Sequence, residues 1–151
     1  TLKQPCNIED DKVEEAKAKF EELLHAKNYS PFTLKFDELV SDKSPSGNCI
    51  MINGSDSNLN NFHTEIVKTL SEYKDYLKPM YEQFEENFQP HITIARELDD
   101  NSVAEVLREV PSDYYCEGVI QELVFLVVSE KNVEQANDPR NQTIYQLNGE
   151  R

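Results

Sequence analysis

Apolar side chains recur at helical spacing in three stretches of the chain. Residues three or four apart share one face of a helix, so each stretch predicts an amphipathic helix that packs its apolar stripe onto a sheet. Asn7 is predicted to cap the first helix and Asn28 to close it, Ser57 to cap the second, and Asp99 or Asp100 to start the third. The three stripes are Val13, Ala16, Phe20, Leu23 and Leu24, then Leu59, Phe62, Ile66 and Leu70, then Val103, Val106, Leu107 and Val110.

Strands are predicted where apolar and polar residues alternate. The clearest case is residues 32 to 40, in which Phe32, Leu34 and Phe36 would be buried and the intervening side chains would face water. Further strands are predicted for residues 49 to 52, 119 to 128 and 143 to 147. The turn-rich residues 41 to 48, the mixed segment 73 to 88 and the polar segment 132 to 141 are predicted to be loops, the second with short helical turns.

The order strand, helix, strand, strand occurs twice along the chain. The first round starts at Thr1 and the second at Thr93, and Glu-Leu-Val stands in the first strand after each helix, at residues 38 to 40 and 122 to 124. This order predicts an α+β fold of two similar lobes, each an antiparallel sheet with helices on its outer face, and a cleft between the sheets. With 151 residues, the chain is expected to form one domain spanning residues 1–151.

Composition narrows the range of partners. Twenty-nine acidic against 15 basic residues give a formal charge of −14, which argues against general nucleic-acid binding because that requires a basic surface. The widely spaced Cys6, Cys49 and Cys116 predict reduced thiols in a cytosolic protein rather than a disulfide framework or a zinc site. The longest apolar run, residues 123 to 128, is too short to cross a bilayer. We expect a cytoplasmic monomer without membrane association.

The most informative residues are 89 to 96, which read Gln-Pro-His-Ile-Thr-Ile-Ala-Arg. Alternation places His91, Thr93 and Ala95 on one face of a strand, with His91 and Thr93 about 7 Å apart along it. Imidazole exchanges protons near neutral pH, and a threonine hydroxyl can donate a hydrogen bond to an anionic oxygen. The pair therefore suits proton transfer beside a phosphate.

This octapeptide resembles the second signature of the 2H phosphoesterases, the superfamily of the 2′-5′ RNA ligases and cyclic nucleotide phosphodiesterases. Members carry two His-x-Thr or His-x-Ser motifs, and the proline, histidine, threonine and arginine of the octapeptide fall on the second. Thr1 and Leu2 would then end the first motif, because Thr1 precedes Thr93 by 92 positions, close to the family spacing. The first histidine would lie two positions upstream of Thr1, so the first strand of the duplicated fold is expected to be missing here.

The resemblance implies acid–base chemistry on a phosphodiester without a metal or other cofactor. One histidine would deprotonate a water or a ribose hydroxyl and the other would protonate the leaving oxygen, while Thr93 and Thr1 would hold the non-bridging oxygens. The expected reaction opens a 2′,3′-cyclic phosphate to a 2′-phosphate, or runs in reverse as 2′-5′ ligation of RNA ends. The expected partner is a small nucleotide or an RNA end carrying a cyclic phosphate.

Two further residues have two interpretations each. Arg96 points away from His91 on an ideal strand, so it either reaches round the strand end to bind substrate or pairs with an acid to brace the lobe. Tyr145 matches a position where these proteins often carry an aromatic residue near the cleft, so it either binds substrate or packs in the core.

The chain as a whole also has an alternative function. One intact motif and an acidic surface are compatible with a non-catalytic nucleotide-binding or regulatory module on the same scaffold. The residue two positions before Thr1 discriminates between the two functions, since histidine there favours the enzyme.

Overall fold

The computed structural model describes residues 1–44, 47–111, 114–130 and 132–147 and shows an α+β protein. Two 3₁₀ turns, Asp10–Lys12 and Pro139–Asn141, precede α1 and β6. In chain order the elements are α1 (Val13–Lys27), β1 (Phe32–Ser44), β2 (Gly47–Gly54), α2 (Ser57–Thr69), α3 (Met80–Glu86), β3 (His91–Leu98), α4 (Asp100–Glu109), β4 (Cys116–Ile120), β5 (Glu122–Leu126), α5 (Val133–Asn137) and β6 (Gln142–Gln146).

The chain forms two compact units, and each is assembled from segments that are far apart in sequence. The first unit holds α1, α3, α5, most of α2 and the strands β5 and β6. The second unit holds α4 and most of the larger sheet. The first comprises Thr1–Phe32, Leu59–Asn87 and Val119–Arg151, and the second comprises Thr33–Asn58 and Phe88–Gly118.

The second unit is built on a four-stranded sheet with the order β3-β2-β1-β4. Strand β2 pairs in antiparallel register with both β1 and β3. Along β2, Ile50 and Ile52 are buried and alternate with half-buried side chains, so one face of this strand is core and the other is more accessible. On β1, Leu34 is buried and Phe32 and Phe36 are partly buried. The alternation predicted for this strand is therefore confirmed.

Strand β1 is longer than its sequence predicts. The loop predicted for residues 41 to 48 is wrong, because β1 continues to Ser44 and β2 begins at Gly47, with these two residues paired. Only residues 45 and 46 lie between the strands, outside the described residues. Backbone pairing along the hairpin satisfies each donor and acceptor in turn, and this outweighs the turn propensity of the polar side chains.

The apolar segment predicted as one strand, residues 119 to 128, belongs to two strands in different sheets. Strand β4 lies at the edge of the four-stranded sheet beside β1, whereas β5 pairs only with β6 among the described strands. Gln121 separates them, and its carbonyl oxygen accepts a hydrogen bond of 2.8 Å from the backbone nitrogen of Leu147. The described strands thus form one sheet of four and one of two, and the predicted duplication into similar lobes is not seen among them.

The first unit buries the apolar stripes of its two long helices. On α1, Ala16 and Phe20 are buried, and the Phe20 ring contacts Phe125 and Tyr145 on β5 and β6, with centroids 5.8 and 5.2 Å apart. On α2 the predicted stripe is buried throughout, which confirms that helix. The buried stripe consists of Leu59, Phe62 and Ile66 on α2 and of Leu70 directly after the helix.

The sequence predicts the C-terminal end of α1 correctly but not its N-terminal end. Asn28 closes the helix in the left-handed conformation, with φ at 45°, as predicted. The predicted cap at Asn7 is wrong, because the helix starts at Val13 and the Asn7 side chain donates instead to Asp75 at 3.0 Å. A helix cap is predicted from residues that are close in sequence, whereas this contact joins residues 68 positions apart.

Helix α4 begins where predicted but is less buried than its pattern suggests. The Asp99 side chain accepts a hydrogen bond of 2.8 Å from the backbone nitrogen of Ser102, which confirms the cap and lowers the pKa of Asp99. The apolar stripe is only half-buried, however, and Leu107 is 38% exposed. This helix therefore covers the sheet of the second unit incompletely.

The described residues also bear on the predictions made from composition. No helix among them combines the length and the apolar character needed to cross a membrane. Cys6, Cys49 and Cys116 are all described and are free thiols, as predicted.

Candidate functional site

His91 is the first residue of β3, an edge strand, and its side chain is exposed. Its Nδ1 atom lies 2.9 Å from the carbonyl oxygen of Gln89. A carbonyl oxygen only accepts, so Nδ1 carries the hydrogen and Nε2 of the neutral ring carries the lone pair. The contact fixes both the orientation and the tautomer of the ring, and it leaves Nε2 as the atom that can exchange a proton with a ligand.

Thr93 shares the face of the sheet on which His91 lies. In the register of β2 and β3, His91 pairs with Asn53 and Thr93 pairs with Met51. Paired residues of neighbouring strands point to the same face, and Asn53 and Met51 alternate with the buried Ile52. His91 and Thr93 therefore lie together on the accessible face of β2 and β3, as their spacing predicts.

Ala95 does not continue this face, and that part of the prediction is wrong. Ala95 pairs with Ile50, a core residue, because the register shifts between Met51 and Ile50 and one extra residue of β3 is accommodated there. A second register shift follows between Asn48 and Ile50, and Arg96 of β3 lies within it. The Arg96 side chain is exposed, and its place on the His91 face stays a prediction.

A row of three polar side chains crosses the accessible face at the level of His91. Asn53 pairs with His91 on one side and with Glu38 of β1 on the other, and its Nδ2 donates to Glu38 Oε2 at 3.2 Å. Asn53 and Glu38 are neighbours of the site that the sequence did not predict. Alternation in β2 could have assigned Asn53 to the side opposite Ile52, but the pairing of β2 with β3 has no signal in a single sequence.

The segment that leads into His91 is attached to the end of β2. The backbone nitrogen of Gly54 donates to the carbonyl oxygen of Pro90 at 2.7 Å, and the side-chain Nε2 of Gln89 donates to the carbonyl oxygen of Gly54 at 2.6 Å. Pro90 is buried. Three consecutive residues, Gln89, Pro90 and His91, are therefore held in place at the strand end.

Thr1 belongs to the first unit and is exposed. The structure shows no strand at residues 1 to 5, and the first β-type contact is a single bridge between Cys6 and Tyr76. Since Thr1 and His91 belong to different units, a Thr1 side chain that faces Thr93 across a cleft stays a prediction.

The residues after Thr1 are held by a buried carboxylate. Glu85 of α3 is only 4% exposed, and it accepts hydrogen bonds from Lys3 Nζ at 3.1 and 3.0 Å, from the backbone nitrogen of Gln4 at 2.9 Å and from the Tyr76 hydroxyl at 2.5 Å. The Lys3 ammonium also lies 4.5 Å from the centroid of the Tyr76 ring. We call Lys3, Gln4, Tyr76 and Glu85 the Glu85 cluster.

Two ionisable groups in this region have shifted pKa values. Burial alone would raise the pKa of the Glu85 carboxyl, but the hydrogen bonds from Tyr76, Gln4 and Lys3 together bring it below its usual value. Burial lowers the pKa of His63 on α2, although the nearby Glu85 carboxylate acts in the opposite direction. Glu85 is therefore held ionised and His63 is held neutral at pH 7.

Tyr145 packs into the core of the first unit. Its ring meets Phe20 of α1 edge to face at 5.2 Å, and burial raises the pKa of its hydroxyl. The packing interpretation of Tyr145 is thus confirmed, while a role in substrate binding stays a prediction. Tyr145 also lines a cavity of about 250 Å³ within the first unit, together with His25 and Tyr29.

Comparison with known proteins agrees with the motif at His91. Residues 1–132, most of the chain, match the family model described as the 2′-5′ RNA ligase superfamily. No curated protein shows a significant match to the chain. In the part of the chain that the structure describes, no three or more histidine, cysteine, aspartate or glutamate side chains come together in a way that could hold a metal ion.

Proposed function

Because this chain belongs to the 2′-5′ RNA ligase superfamily, whose members are typically 2H phosphoesterases, we propose that His91 and Thr93 form one half of a phosphodiesterase site. The reaction proposed is the opening of a 2′,3′-cyclic phosphate, on a nucleotide or an RNA end, to a 2′-phosphate. The same site run in reverse would join RNA ends through a 2′-5′ linkage. The observation that carries the proposal is the hydrogen bond from His91 Nδ1 to the Gln89 carbonyl, which leaves Nε2 on the exposed side of an edge strand.

His91 is proposed to act through Nε2. As a neutral ring, it would take the proton of the attacking water or ribose hydroxyl, and as an imidazolium it would give a proton to the leaving oxygen. The second histidine of a 2H site would take the complementary role. Which of the two is the base depends on the direction of the reaction.

Thr93 and Arg96 are proposed to bind the phosphate. The Thr93 hydroxyl can donate to a non-bridging oxygen while negative charge grows there, as Thr1 would from the first motif. Arg96 is exposed and follows the bulge that turns Ala95 away from the His91 face, and we propose that it binds substrate rather than bracing the lobe. A guanidinium on this face would supply local positive charge in a protein whose net charge is −14.

The activity can be tested on the full-length protein. We expect hydrolysis of a nucleoside 2′,3′-cyclic phosphate in the presence of EDTA, with the 2′-phosphate as the product in a ³¹P NMR spectrum. The chemistry requires one unprotonated and one protonated group, so kcat/KM should follow a bell-shaped pH profile.

Other results would point to other functions. Activity that disappears with EDTA and returns with a divalent cation would contradict the proposed mechanism. Saturable nucleotide binding without turnover at any pH would favour the non-catalytic nucleotide-binding or regulatory module.

A further inference from the structure

We propose that Gln89 is a positioning residue for His91, acting through a two-point attachment to Gly54. The Gln89 backbone carbonyl accepts from His91 Nδ1 at 2.9 Å, while its side chain donates to the Gly54 carbonyl at 2.6 Å. One residue therefore connects the end of β2 to the ring of His91.

The attachment is double, which fixes the orientation of the intervening peptide. The backbone nitrogen of Gly54 donates to the Pro90 carbonyl at 2.7 Å, next to the contact that the Gln89 side chain makes with the Gly54 carbonyl. Gly54 donates one hydrogen bond and accepts the other, so it holds both the Gln89 side chain and the peptide between Pro90 and His91, and the Gln89 carbonyl lies between these two points. The carbonyl oxygen of Gln89 is thus held in the direction of His91 Nδ1.

Gly54 is itself held firmly against β1. A Cβ atom at this position would lie 2.7 Å from the carbonyl oxygen of Lys35 and 2.9 Å from Cδ1 of Phe36, distances that real Cβ contacts do not reach. The backbone of Gly54 therefore sits directly on its neighbour strand. The Gln89 carbonyl oxygen, which accepts from His91, is therefore fixed relative to the interior of the sheet rather than to a flexible loop.

The consequence concerns the tautomer of His91. While the Gln89 carbonyl accepts from Nδ1, the neutral ring has its lone pair on Nε2, where a proton can be taken up from a substrate. If the peptide turns away, the competing tautomer with hydrogen on Nε2 becomes accessible and cannot act as a base through that atom. Gln89 would thus influence the reaction without touching the substrate.

The test is the tautomer of His91 in Gln89→Leu and Gln89→Ala, read from the ¹⁵N chemical shifts of its ring in a labelled protein above pH 7. Both side chains lack the donor, and Gln89 is exposed, so both variants should fold. We expect the wild type to be predominantly in the Nδ1–H form and both variants to gain the Nε2–H form. Gln83→Leu, at an exposed position of α3, is the matched control and should keep the wild-type spectrum.

The expected change in kcat rests on the proposed function, whereas the expected change in the His91 tautomer does not. In the active protein, Gln89→Leu is expected to lower kcat about 10- to 100-fold, the usual effect of losing a group that orients a functional histidine, with little change in KM. An unchanged His91 tautomer in both variants would overturn the positioning role, whatever the activity. A changed tautomer in a protein that hydrolyses no cyclic phosphate would support the positioning role and refute the proposed function.

Discussion

Replacing His91 with alanine is expected to lower kcat/KM for a 2′,3′-cyclic phosphate by about 10² to 10⁴-fold, the range typical for one general acid–base group. The reason is that the Gln89 carbonyl orients Nε2 of His91 for proton transfer, and neither Asn53 nor Thr93 beside it can take over that role. Asn53 and Thr93 can donate or accept hydrogen bonds but cannot exchange protons near neutral pH. The measurement is steady-state kinetics on the full-length protein in EDTA.

The control for this substitution is His25→Ala. His25 lies on α1 with its side chain 80% exposed, so its removal should leave both the fold and the kinetics unchanged. Circular dichroism of the His91→Ala protein should match the wild type, because His91 is exposed and its removal opens no cavity. Undiminished hydrolysis by a folded His91→Ala protein would remove this residue from the site.

Replacing Glu85 with alanine is expected to reduce the free energy of unfolding by about 3–5 kcal/mol, the usual effect of removing one partner of a buried ion pair. The substitution would leave the Lys3 ammonium, whose side chain is 14% exposed, without its carboxylate. It would also remove the acceptor of the Tyr76 hydroxyl and of the Gln4 backbone nitrogen. The measurement is urea denaturation at pH 7.

Glu86→Ala is the matched control, because Glu86 is the adjacent residue of the same helix and is exposed. It should change stability by no more than about 0.5 kcal/mol. An equal effect of the two substitutions would show that the Glu85 cluster contributes little to stability.

The effect of Glu85→Ala should depend on pH in a defined direction. The folded state lowers the pKa of Glu85, so its contribution is present above the ordinary carboxyl range and is lost as the pH falls through the lowered value. The difference between wild type and variant should therefore shrink below about pH 4. Burial lowers the pKa of His63 as well, so protonation of His63 should add to the acid sensitivity of both proteins.

Much of the local structure could be predicted because its causes lie within a few residues of sequence. The α2 stripe is buried as its spacing requires, and Asp99 caps α4 through a bond to Ser102, only three positions away. His91 and Thr93 share a face because alternation in a strand has a period of two. The candidate acid–base residue could be named before any tertiary contact was known, because residues 89 to 96 resemble the second 2H signature.

The features that escaped prediction depend on strand pairing. Alternation assigned Ala95 to the His91 face, but the bulge opposite Ile50 turns Ala95 to the opposite face. The Glu38 to Asn53 contact and the attachment of Gln89 to Gly54 likewise join residues of different strands or strand ends. Neither has a local signature, since the register of a pairing is set by tertiary packing.

The claim that the His91 face of β3 binds phosphate can be tested most directly by NMR titration of the 151-residue chain with a nucleoside 2′-monophosphate in EDTA. Product binding needs no turnover, so the test does not depend on the second catalytic histidine. We predict saturable chemical-shift changes centred on His91, Thr93 and Arg96, weakened by added salt and lost in His91→Ala. Shifts confined to other residues, or the absence of binding at millimolar nucleotide, would contradict the claim.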